Sequence, residues 1–118
     1  MVEVEEVYEA FGELLYAVAM ADGEIQDEEV QVLNKMLADH QFAKEIKWSF
    51  NYETQKATSV TDAYEKALST MVDFGPFEDY SFLFDALEKV AHAFQGIMPE
   101  EQELIENFRS ELESQLGS

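Results

Sequence analysis

The chain contains no cysteine. Disulfides and thiolate metal sites are therefore excluded, and a cytoplasmic location is expected. Basic residues are scarce: 7 Lys and Arg stand against 26 Asp and Glu, a net charge of −19. A nucleic-acid partner is disfavoured, because no basic surface exists to release phosphate counterions. Anionic membranes would repel the chain too, while peripheral contact with other membranes stays open. No apolar run reaches 18 residues, so no transmembrane helix is expected. The first residues, MVEVEEVYEAFGELL, lack a basic segment and do not read as a signal or transit peptide. Partners of an acidic chain are cations, either metal ions or basic patches on proteins. Acidity also simply keeps a small protein soluble.

What is abundant is apolar material in helical spacing. Hydrophobic residues make up 47% of 118 residues, enough for one domain with its own core. Val4, Val7, Tyr8, Phe11, Leu14, Leu15 and Val18 follow the i, i+3, i+4, i+7 spacing of one buried stripe, with Glu3, Glu5, Glu6, Glu9 and Glu13 opposite. Gly23 ends this first helix. Gln26 or Asp27 caps a second, with Val30, Leu33 and Leu37 inward. A short third helix is expected near 42–49, followed by loop or irregular helix broken by Ser49, Asn51 and Thr54. Ser59 or Thr61 caps a fourth helix carrying Tyr64, Ala67, Leu68 and Met71, which Gly75-Pro76 stops. A fifth spans roughly 79–95 with Leu83, Leu87, Val90, Ala91 and Phe94 inward. Gly96 ends it, and Pro99 fits the first position of a sixth. No strand-like alternation competes. The expected fold is all-α: a single compact domain over 1–118 with about six helices.

A weak internal repeat supports that organisation. With Gly23 placed over Gly96, ELLYAVAMADGEIQDEEVQVL resembles ALEKVAHAFQGIMPEEQELI. Each copy is an amphipathic helix, a glycine turn and an acid-capped helix. Two related helical hairpins closing one core are the natural inference.

The first turn, MADGEIQDEE, holds five carboxylates: Asp22, Glu24, Asp27, Glu28 and Glu29. Gly23, Ile25 and Glu29 match positions 6, 8 and 12 of a calcium-binding EF-hand. Positions 1 and 3, however, are Val18 and Met20, and Ca²⁺ requires oxygen ligands there. In the second copy Gln95 and Gln102 stand where positions 5 and 12 fall. A standard EF-hand is therefore not expected. A local role suits Asp22-Gly23: the carboxylate accepts backbone N–H groups across the turn and glycine supplies the dihedral. The competing role is a divalent ion held by Asp22 with Glu24, Asp27, Glu28 or Glu29.

The stretch AVAMADGEIQDEEVQVLNKML resembles the signature of the TerB-like domain, found in tellurite-resistance proteins and at the N-terminus of a membrane-associated co-chaperone. The matching positions are Ala19, Ala21-Asp22-Gly23, Glu24, Ile25, Gln26 and Glu29. The resemblance implies an all-α, pseudo-duplicated, bacterial domain with a role in metal or stress response. Acids at the positions of Asp22 and Glu29 are implied to bind divalent metal. Gln95 departs from the family pattern, which expects an acid there.

Other constellations are sparse. Glu88 and His92 have ligand-like i, i+4 spacing but more often make a surface contact. His40, beside Asp39, reads as a cation at a helix C-terminus. No nucleophile elbow or phosphate loop is present, so no enzymatic activity is expected. The aromatics Trp48, Phe50, Tyr52, Phe74, Phe77, Tyr80, Phe82 and Phe84 read as core and linker packing. At least one of Phe82 and Phe84 is expected at the surface. Two functions remain: a divalent-metal module of stress response, and an acidic module that recognises a basic protein partner without metal.

Overall fold

A computed structural model of the chain describes residues 2–93, 96 and 98–117. Among them are six helices and no strand: α1 (Val4–Met20), α2 (Asp27–Leu37), α3 (Ala43–Lys56), α4 (Val60–Phe74), α5 (Tyr80–His92) and α6 (Pro99–Leu116). None is long and apolar enough to cross a membrane. The all-α expectation holds. Phe94 and Gln95 lie outside the described residues.

The first helix departs from a single-stripe reading. Leu14, Leu15, Tyr16, Ala17, Val18 and Ala19 are all buried, so its second half is wrapped rather than half-covered. α3 and α4 flank α1, and α5 and α6 touch it as well. Small residues permit this crowding. At Gly12 an added Cβ would stand 2.4 Å from the Ile46 carbonyl oxygen and 2.8 Å from the Ser49 Cβ, so the α3 backbone comes directly against the α1 backbone. Ser49 seals the same crossing by donating to the Glu9 carbonyl at 2.6 Å.

Two expectations about elements are corrected. α3 does not end near 49 but continues to Lys56, because its polar residues are satisfied within the helix or against α1. Thr54 Oγ1 donates back to the Phe50 carbonyl (2.9 Å), and Ser49 reaches α1 as described. In addition, α2 packs on α5 rather than folding back along α1. The first glycine turn therefore sends α2 across to the second half of the chain.

The ends of the helices follow expectation more closely. Gly23 and Gly75 take φ of +99° and +96°, a region closed to most side chains. Ser59 caps α4, its hydroxyl accepting the Asp62 N–H at 3.1 Å. Pro99 opens α6.

Candidate functional site

The five carboxylates of the first turn separate when the chain folds. Glu24, Asp27 and Glu28 are exposed. Asp22 is exposed as well, and its Oδ1 accepts the Glu24 N–H at 3.3 Å across the turn. Glu29 alone is turned inside, with 2% of its surface exposed. It occupies the third position of α2, and its Oε1 accepts the Gln26 N–H at 2.8 Å. This is the glutamate half of a capping box, which satisfies an orphan donor at the helix start.

The second turn repeats this arrangement. Glu101 is the third residue of α6, 1% exposed, and its Oε1 accepts the Met98 N–H at 3.0 Å. Its other oxygen, Oε2, is buried without a hydrogen-bond partner. The two glutamates are neighbours in the interior, each acting on the other's carboxyl. Burial lifts both carboxyls above the usual range, Glu29 to about 7. The Gln26 and Met98 N–H groups oppose the rise, while the charge of Asp22 adds to it. Two adjacent carboxylates removed from water cannot both ionise without a compensating positive charge.

Glu101 escapes notice in the sequence because of register. Aligning the glycines sets Glu29 over Gln102, yet the first turn has one residue more between its glycine and its cap. Three residues after the cap, both copies carry glutamate. Counting from the cap instead of the glycine would have found it.

A third buried acid lies elsewhere. Glu53 is fully buried on α3, yet its carboxylate is matched: Lys66 Nζ approaches at 2.9 and 3.1 Å, and the Thr58 hydroxyl donates at 3.0 Å. Glu13, expected on the outer face of α1, is drawn in beside them, 3.7 Å from Lys66. Burial pushes its carboxyl up to about 7, although Lys66 pulls the other way.

The histidines do not act as expected. His40 Nδ1 accepts the Phe42 N–H at 2.9 Å, so its proton sits on Nε2, 3.1 Å from Asp79 Oδ2. That oxygen also receives the Tyr8 hydroxyl at 2.6 Å. His40 thus links α1, the α2–α3 turn and the start of α5. Glu88 faces Arg109 of α6 at 3.8 Å rather than His92. Neither Phe82 nor Phe84 is exposed: Phe82 lies against His40, and Phe84 lies beneath the Arg109 guanidinium, 4.7 Å from its carbon. Among the described residues the exposed aromatics are Trp48 and Tyr52 instead.

Among the described residues, no group of three or more His, Asp or Glu side chains is assembled around one metal position. What the fold does assemble is a two-carboxylate centre, Glu29 with Glu101, that lies within the field of Asp22. No protein-family model matches the chain, and neither the curated proteins nor the solved structures contain a match.

Proposed function

We propose that the chain is a non-enzymatic acidic binding module of the TerB-like type, two related helical hairpins in origin, serving a bacterial cytoplasmic stress response of the tellurite-resistance kind. Its ligand is a hard divalent cation held between Glu29 and Glu101. The supporting observation is Glu101 Oε2, a buried carboxylate oxygen left without a donor beside a second buried carboxyl. Native proteins rarely leave such an atom unmatched. The donors are all carboxylate oxygen, which suits Mg²⁺, Ca²⁺ or Mn²⁺ better than a thiophilic ion. Asp22, whose charge acts on both glutamates, could add a third ligand if its turn moved inward. Glu24, Asp27 and Glu28 supply attracting field rather than ligands. When bound, the ion supplies the positive charge that lets both glutamates ionise.

Calorimetry tests this reading. Titration with Mg²⁺, Ca²⁺ or Mn²⁺ is expected to give saturable heat and to release a proton near pH 6, where Glu29 still holds one. Glu101→Gln should abolish the heat and Asp22→Asn should weaken it. Flat traces with all three ions would reject the assignment. The net charge of −19 favours a second reading, a basic protein partner captured electrostatically. Flat metal traces together with salt-sensitive capture of a basic protein would support that one.

A further inference from the structure

Away from the glutamate pair, the outer face of α3 sets exposed aromatics among lysines. Trp48 is 58% and Tyr52 43% exposed, and their rings stack at 5.3 Å with 17° between planes. They stand one helical turn apart, so the shelf they form is built into the helix rather than held by a loop. Lys56 and Lys66 lie over the Tyr52 ring at 5.6 and 6.0 Å. Lys66 is engaged with Glu53, but Lys44, Lys47 and Lys56 have no carboxylate within ion-pair distance among the described residues. In a chain where 26 acids compete for 7 bases, three lysines without an acid partner on one helix outnumber Glu45, its one acid besides the buried Glu53, and leave this face locally positive. Asn51 and Gln55, also exposed on this face, add no charge. On its inner side α3 packs mainly against α1, and no other helix covers the outer one.

We propose that this face docks a carboxylate-rich segment of another protein, with an apolar residue of that segment seated on the Trp48–Tyr52 shelf. Charge chooses the occupant. A second copy meeting this one through α3 would set lysine against lysine, and docking an acidic face here would bring two bodies of −19 together. A single-stranded nucleic acid could stack on the rings. Its phosphates, however, would overrun this face onto acidic surroundings. A short acidic segment stays within it, because charges beyond about 8 Å are screened at physiological salt. The 14 residues of α3 extend about 21 Å, which matches a helix of similar length or about six extended residues. Trp and Tyr are enriched among interface hot spots, and complementary charge around them steers the partner.

Trp48 is the only tryptophan, so its emission reports the face directly. The full chain is titrated with a 15-residue peptide carrying Glu and Leu at helical spacing. A saturable change in Trp48 emission is expected, with affinity falling about fivefold or more between 50 and 300 mM salt. The Lys44→Glu/Lys47→Glu variant should weaken it about tenfold or more while circular dichroism shows unchanged helix content. Three results would overturn the proposal: no emission change up to millimolar peptide, equal binding by the charge-reversed variant, or tighter binding of a single-stranded oligonucleotide of similar length. An emission shift that tracks protein concentration without peptide would overturn it too, in favour of self-association.

Discussion

Ala57 closes α3 in the left-handed conformation, with φ of 55°, the only described non-glycine residue there. Its N–H reaches the Glu53 and Thr54 carbonyls, and the Thr58 N–H also bonds Glu53, so the backbone gains from the shape while the methyl group strains it. Ala57→Gly should therefore raise stability by about 1 kcal/mol, read as a higher denaturation midpoint with unchanged denaturant slope. Gly12 presents the opposite case. Its helical dihedral is ordinary, but the Ile46 carbonyl fills the place of a side chain. Gly12→Ala should lower stability by about 1–3 kcal/mol by thermal or urea unfolding, despite the better helix propensity of alanine. A glycine that opens a turn announces itself beside a break in periodicity, as Gly23 does. A glycine that admits a neighbouring helix sits inside an unbroken stripe, and nothing local marks Gly12.

At the scale of elements, the carboxylate contacts of Lys66 and Lys89 differ in kind. Lys89 and Asp85 pair across one turn of α5, both well exposed. Lys66 holds a glutamate that has no water. Lys66→Ala should cost about 2 kcal/mol, because it strands the Glu53 charge, whereas Lys89→Ala should cost about 0.5 kcal/mol or less. Parallel thermal melts of the two variants decide it. The stripes of α2, α4, α5 and α6 are legible from spacing because each helix buries one side and leaves the other wet. α1 and α3 are read less well, for opposite reasons. Leu14–Ala19 is covered on every side, which erases the stripe, and the Ser, Asn and Thr of α3 look like breakers while two of them anchor it. Packing of α2 on α5 depends on partners distant in sequence, which spacing alone does not specify. The candidate site is half legible: Glu29 is found through the turn motif, and Glu101 needs the register of the caps.

For the molecule as a whole, pH dependence carries a definite sign. Glu13 and Glu29 each titrate near 7 in the folded chain, against 4.5 for an ordinary glutamate, and Glu101 is raised as well. The folded state thus binds these protons more tightly than the unfolded one. Their contribution to stability is complete below about 4.5 and is lost as the pH climbs through 7. Repulsion within a body of −19 adds in the same direction. The melting temperature should be higher at pH 5 than at pH 7.5, added sodium chloride should narrow the gap, and Glu13→Gln should flatten the profile. A melting temperature that rises with pH over this range would contradict the placement of these carboxyls.

The wrapping of α1 also bears on synthesis. Ribosomes release a chain from its amino end, so the greasiest rod emerges while its covers are still untranslated. α3, which lies along it, begins only at Ala43, and α4 only at Val60. Until that later stretch clears the exit tunnel, Phe11, Leu14, Leu15 and Val18 have no native surface to meet. A nascent chain stalled after Leu37 would therefore be a natural client for holdase chaperones, and prone to clump where these are absent.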